Sequence, residues 1–130
     1  MKVILADDSE LVLERIKELV NRYKKIDIVG MYKNGIDALN GLKGLKPDLT
    51  IIDLNMPGLS GMEVLTEIRK VDTELKYIIF TFYASEIYRT KALKAGADHF
   101  FSKVDDVDKL VEVIEEMLSV ENKKEKQIVY

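Results

Sequence analysis

The sequence predicts an α/β protein: a three-layer αβα sandwich in one domain, with helices covering both faces of a five-stranded parallel sheet. Two observations carry that expectation. Strand-length apolar runs recur five times, around Val3, Ile26, Leu49, Tyr77 and Phe100. Between them lie stretches with apolar residues at helical spacing, and such alternation calls for parallel strands joined by right-handed crossovers. A chain of 130 residues is long enough to bury one ordinary core.

Each element has its own reason. Val3-Ile4-Leu5-Ala6 is apolar without alternation, as a strand buried on both faces should be. Asp8 or Ser9 can cap the helix that follows, where Val12, Ile16, Leu19, Val20 and Tyr23 form an apolar stripe. Ile26 to Met31 reads as the second strand, ended by the turn pair Asn34-Gly35. Ile36, Leu39 and Leu42 suggest a short helix, weakened by Gly41 and stopped by Gly44 and Pro47. Leu49 to Asp53 is the third strand, and beyond Pro57-Gly58 the residues Met62, Leu65 and Ile68 give one face of a third helix. Tyr77 to Thr81 is the fourth strand. Ser85 to Ala95 is a helix with a thin apolar face (Tyr88, Ala92, Ala95) and a C-cap at Gly96. Phe100-Phe101 belongs to a short fifth strand ending at Ser102-Lys103. The last helix is expected from about Asp105 to Leu118, with acids at its positive end. Residues 1–119 make the domain, and 120–130 read as a short, charged, flexible tail.

Composition excludes several classes of protein. The net charge is −3, so no basic footprint for direct nucleic-acid binding exists. The absence of cysteine removes disulfides, thiolate metal sites and a thiol nucleophile. The first residues lack the pattern of a secretory signal, and no apolar run approaches the ~20 residues of a spanning helix. A cytoplasmic protein with no membrane partner is the expectation.

Ligands of open parallel sheets bind at the carboxyl ends of the strands. Those ends carry Asp7 and Asp8, Asp53, Thr81 and Lys103. Singly, each has an ordinary reading as a helix cap, a turn residue, a strand-end hydroxyl or a surface lysine. Jointly they put three acids, a hydroxyl and an ammonium on one rim. Two carboxylates 4 Å apart repel by about 4 kcal/mol at an effective dielectric of 20. An oxygen-preferring divalent cation such as Mg²⁺ relieves that repulsion. A third carboxylate beside the ion, facing a lysine and a threonine, can act as nucleophile toward a phosphoryl group. His99, the single histidine, lies four residues before Lys103, roughly 13 Å along a strand, and reads as a surface residue.

Asp7-Asp8 after the first strand, the run Asp53-Leu-Asn-Met-Pro-Gly-Leu-Ser-Gly-Met-Glu63, Thr81, and Lys103 seven residues after Gly96 resemble the receiver domain of two-component response regulators. The resemblance covers residues 1 to about 120. It implies a flavodoxin-like sheet of order 2-1-3-4-5 and a phosphorylation-dependent switch rather than an enzyme, with at most self-phosphorylation and autodephosphorylation. It implies Asp53 as acceptor from a sensor histidine kinase or phosphotransfer protein. Mg²⁺ (or Mn²⁺) would be held by Asp8, Asp53 and the Asn55 backbone carbonyl, with Asp7 acting through water. Thr81 and Lys103 would hold the phosphoryl oxygens. Phe100 sits where the family keeps its switch aromatic, expected to rotate from outside to inside as Thr81 is drawn toward the phosphoryl group. The altered surface of the fourth helix, fifth strand and fifth helix would then engage a downstream protein or a second copy.

Three departures from the family pattern stand out. Val104 follows Lys103 where many members have a cis proline, so either a cis bond is retained or Lys103 is placed differently. Phe82 replaces a small residue, and Tyr83 occupies a position that governs water attack, so both are expected to limit access to the site. Ile87 and Tyr88 on the fourth helix suggest a partner surface. The alternatives are the excised receiver of a larger DNA-binding regulator and, more remotely, an aspartyl-phosphate-forming phosphatase. A nucleotide-binding domain of the same topology is disfavoured, because Asp7-Asp8-Ser9-Glu10 would repel phosphate.

Overall fold

The continuous apolar runs are explained by a sheet whose two faces are both covered. In the computed structural model, which describes the backbone of residues 1–129 and the side chains of residues 1–121, five strands form that sheet. They are β1 (Lys2–Ala6), β2 (Asp27–Tyr32), β3 (Leu49–Ile52), β4 (Lys76–Thr81) and β5 (His99–Ser102), in the order β2-β1-β3-β4-β5 and parallel throughout. The helices are α1 (Glu10–Val20), α2 (Gly35–Leu45), α3 (Gly61–Arg69), α4 (Glu86–Ala95) and α5 (Val107–Val129). This is the three-layer, flavodoxin-like arrangement expected from the sequence.

Successive strand residues divide between two cores, as the two-residue period of a strand requires. Ile4, Ala6, Tyr77, Ile79 and Phe100 join the core that also holds Ala38, Leu65 and Ala92 of α2, α3 and α4. Val3, Leu5, Ile78, Phe80 and Phe101 join the core holding Leu13 and Ile16 of α1 and Leu110 and Ile114 of α5. Among the described residues, no helix is long and apolar enough to cross a membrane.

Several elements differ from the expectation. Asn34-Gly35 is not a turn between elements but the start of α2, because an asparagine side chain caps a helix as readily as it makes a turn. Asn34 Oδ1 accepts the Asp37 N–H at 2.8 Å. Gly35 is required there, since a Cβ would lie 1.9 Å from the Leu59 carbonyl oxygen. Ile36, expected on the buried stripe, is 53% exposed, and the buried face is Gly35, Ala38, Gly41 and Leu42. Gly41 is therefore a packing residue rather than a weak point, as a Cβ there would fall 2.5 Å from the Tyr32 ring. The helix passes Gly44 and ends at Leu45, with Lys46 in the left-handed region at φ 47°. On α1, Leu13 is buried while Val12 packs at the edge.

Helix α5 begins at Val107 and continues past Leu118 to Val129, so the boundary expected at 119/120 falls inside a helix. Beyond Glu121, the tail expectation concerns residues whose side chains lie outside those described.

Candidate functional site

The register of the sheet delivers the strand-end residues to one rim. The Asp7 N–H donates to the Tyr32 carbonyl at 3.0 Å and the Asp53 N–H to the Ala6 carbonyl at 2.9 Å, so both acids leave their strands at the same level. Ser9, not Asp8, caps α1: its hydroxyl accepts the Val12 N–H at 3.3 Å. That leaves the exposed Asp8 carboxylate free to serve the site. Carboxylate oxygens of Asp7, Asp8 and Asp53 all lie within 4.8 Å of one another, a group able to hold a metal ion.

Lys103 joins two of them. Its ammonium, almost fully buried, bonds Asp7 Oδ2 and, at 3.1 Å, Asp53 Oδ2. Asp7 Oδ1 accepts the Ser9 N–H at 2.9 Å. Burial pushes the Asp7 pKa above its ordinary value, against the lowering effect of Lys103 and the Ser9 N–H. Three carboxylates face a single ammonium, so the rim keeps a negative excess. Asp53 Oδ1 is buried with no hydrogen-bond partner. A buried carboxylate oxygen without a partner is costly, and a hard cation or an electrophilic phosphorus is the chemistry it fits. The donor set is all oxygen, which suits Mg²⁺ or Mn²⁺.

Thr81 is fully buried at the end of β4. Its Oγ1 accepts the Tyr83 N–H at 3.1 Å, which leaves the hydroxyl hydrogen to donate elsewhere. Phe82 and Tyr83 are 61% and 57% exposed. The Lys103 ammonium sits 4.9 Å from the centroid of the Phe82 ring, so Phe82 covers the ion pair from the solvent side. Asn55 stands in the exposed β3–α3 loop, two residues past Asp53. That loop is tied down where the Leu54 carbonyl accepts the Gly61 N–H at 2.8 Å and the Pro57 carbonyl accepts the Gly35 N–H at 3.0 Å.

Among the described residues there is no cis peptide bond, so Lys103-Val104 is trans, yet Lys103 still reaches both acids. The reason is local. Val104 has the N–H that proline lacks, and it donates to Ser102 Oγ at 3.1 Å, as does the Asp105 N–H at 3.2 Å. The Lys103 N–H is held by the Thr81 carbonyl at 2.9 Å.

Phe100, expected to start outside and rotate inward, already lies inside, 1% exposed and packed in the core that holds Ala92, so its outward starting position is not the one the chain adopts. Ile87 and Tyr88 are exposed on α4, as expected. His99 starts β5 opposite Ile78 and stacks on Phe101 at 5.2 Å, at the end of the strand away from Lys103. Sequence reasoning missed Arg89, whose guanidinium covers the Phe100 ring, and the carboxylate role of Asp106, which accepts the Ser102 N–H at 2.8 Å. Neither contact is marked by a local motif.

A parallel 2-1-3-4-5 sheet with an acidic, lysine-bridged rim defines a flavodoxin-like α/β protein with a candidate cation site at its strand ends. The family model described as the response regulator receiver domain matches residues 3–115, and the chain belongs to that family. The response regulator protein VraR of Staphylococcus saprophyticus is 34% identical over 116 residues, 88% of this chain and 54% of that protein. The chemotaxis protein CheY of Thermotoga maritima is 28% identical over 113 residues, covering 87% of this chain and 93% of CheY. The crystal structure of a DNA-binding response regulator of the LuxR family from Staphylococcus aureus superposes with a TM-score of 0.81 at 31% identity, covering 88% of this chain and 96% of that one. The chain spans 54–59% of the length of the first curated relatives it matches. A receiver domain is a signalling switch, not an enzyme of the usual kind.

Proposed function

We propose that Asp53 accepts a phosphoryl group and that this modification switches the surface formed by α4, β5 and α5. The observation that carries this reading is the state of Asp53: Oδ2 is fixed by Lys103, while the buried Oδ1 has no partner. Asp8, Asp53 and the Asn55 carbonyl would hold Mg²⁺ (or Mn²⁺), with Asp7 reaching it through water. When bound, the ion would offset the negative charge gathering on the phosphoryl oxygens.

The chain's own residues supply the rest. A carboxylate oxygen of Asp53 attacks phosphorus, and the bond from phosphorus to the donor's nitrogen or oxygen breaks, its electron pair leaving with the donor. Lys103 exchanges part of its contact with Asp53 for a phosphoryl oxygen, and the Thr81 hydroxyl donates to another. Drawing Thr81 inward shifts the segment that carries Phe82 and Tyr83, and α4 follows. The change is a population shift, limited by the difference in free energy between the two arrangements.

The donor is a sensor histidine kinase or phosphotransfer protein of the cytoplasm. The output is a protein target or a second copy of the chain, without direct contact to nucleic acid or membrane. A second reading is favoured by one observation: relatives such as the transcriptional regulatory protein DesR of Bacillus subtilis are considerably longer than this chain. On that reading the chain is the receiver part of a DNA-binding regulator.

Incubation with Mg²⁺ and labelled acetyl phosphate tests the proposal. Stoichiometric labelling that disappears in Asp53→Asn supports the switch. Continuous release of phosphate over many turnovers would instead indicate a phosphatase.

A further inference from the structure

Helix α4 is weakly seated. Ala92 is its one buried residue, while Ile87, Tyr88 and Leu93 are all substantially exposed. One side chain compensates. Arg89 Nη1 donates to the Phe100 carbonyl at 2.8 Å, and its guanidinium carbon lies 5.4 Å from the centroid of the Phe100 ring. The same guanidinium is 3.9 Å from Asp106 Oδ2 and 3.4 Å from Glu86 Oε1. Asp106 Oδ2 accepts the Ser102 N–H at 2.8 Å, one residue before Lys103. A continuous path of polar contacts therefore runs from α4 through Asp106 to the strand end that presents the site lysine.

The chemistry suits arginine specifically. Its flat fork can serve a carbonyl and a carboxylate together while its face lies on an aromatic ring, which a lysine ammonium cannot do. Phe100 has no hydroxyl, so its buried orientation depends on packing and on this cover alone.

We infer that Arg89 is a positioning residue: it latches α4 onto Phe100 and Asp106, holding Phe100 buried before any phosphoryl group is present and steadying the strand end that carries Lys103. The part concerning Lys103 rests on the reading of Asp53 as acceptor. The part concerning Phe100 does not.

Fluorine NMR on protein labelled with para-fluorophenylalanine separates the two. The chain has four phenylalanines, and the exposed Phe82 serves as an internal reference for the buried Phe100. In the parent protein the Phe100 resonance should show little solvent isotope shift between H₂O and D₂O, with or without beryllium fluoride and Mg²⁺. In Arg89→Ala it should move toward the behaviour of Phe82, and beryllium fluoride with Mg²⁺ should drive it back. The apparent affinity for beryllium fluoride should fall about three- to tenfold, as it does when the competent fraction falls by that factor. Arg89→Lys keeps the charge without the fork and should behave like a milder Arg89→Ala; it also provides the reading if the alanine variant does not fold. An unmoved Phe100 resonance in the folded variants, or an exposed Phe100 in the parent protein, overturns the inference. Absence of beryllium fluoride binding in the parent protein would defeat the Asp53 reading, while the isotope shift would still decide the role of Arg89 toward Phe100.

Discussion

Lys103 bridges Asp7 and Asp53, and in doing so it leaves Asp53 Oδ1 buried and unpartnered. The lysine is thus the counter-charge that lets the acidic rim exist without a cation. Removing one member of a buried ion pair costs about 3–5 kcal/mol, because the partner charges stay behind. Lys103→Ala should lose roughly that much stability in urea unfolding with EDTA present. Saturating Mg²⁺ should restore part of it, since a bound cation takes over the neutralisation. Equal loss with and without Mg²⁺ would count against the shared site.

Asp7 should show the opposite sign. Burial raises its folded-state pKa above the ordinary 3.8. A raised pKa favours the fold only at low pH, and that contribution is lost as pH rises through the folded value, so ionised Asp7 burdens the fold at neutral pH. Because Lys103 keeps Asp53 as its partner, no charge is orphaned, and Asp7→Asn is expected to stabilise the metal-free protein by about 1 kcal/mol. Its melting temperature should rise by about 4 °C, while Mg²⁺ binding weakens. Thermal melts with and without Mg²⁺ check both; no gain in the metal-free protein would contradict the assignment.

Asp106 titrates the other way. Its pKa lies below 3.8, first because it accepts the Ser102 N–H, with Lys109 and Arg89 adding to the effect against partial burial. Its contribution is therefore present above the unfolded-state value and is lost as pH falls through the lowered one. Asp106→Asn should cost about 1–2 kcal/mol at neutral pH. Stability measured from pH 7 down through 3 should converge with that of the parent protein at the acid end; parallel curves would refute the role given to the carboxylate.

Phe82 lies over the Lys103 ammonium, and the Tyr83 N–H donates to Thr81 Oγ1, so both follow directly on the proposed site. Water must pass this aromatic edge to hydrolyse an aspartyl phosphate. Replacing them with Ala and Glu should shorten the half-life of phosphorylated Asp53 by about tenfold, equivalent to about 1.4 kcal/mol of barrier. An unchanged half-life in a phosphate-release assay would show that the aromatics do not limit access.

The sheet was legible because parallel strands buried on both faces cannot hide: Val3-Ile4-Leu5-Ala6 and Tyr77-Ile78-Ile79-Phe80 supply both cores at once. The rim was legible for a related reason, since polar residues at the ends of such runs must converge. Less visible were features decided by three-dimensional fit. Ile36 matches a helical stripe but is exposed, because the close approach of α2 to Leu59 and Tyr32 selects Gly35, Ala38 and Gly41 for the buried face. The hold of Arg89 on Phe100 spans eleven residues and two elements, and no local pattern announces it. The Lys103-Val104 bond is trans, and Lys103 keeps its place through the Thr81 carbonyl and the Ser102 hydroxyl contacts, which no local pattern announces.

If Asp53 takes the phosphoryl group, the resulting acyl phosphate can be marked chemically. Borohydride converts an acyl phosphate to an alcohol, so reduction of the acetyl phosphate-treated, Mg²⁺-loaded protein followed by peptide mass spectrometry locates the modified carboxylate. Homoserine is expected at position 53 alone, and none when EDTA replaces Mg²⁺. Homoserine at Asp7 or Asp8, or an unmodified peptide containing Asp53 under conditions that consume acetyl phosphate, would contradict it.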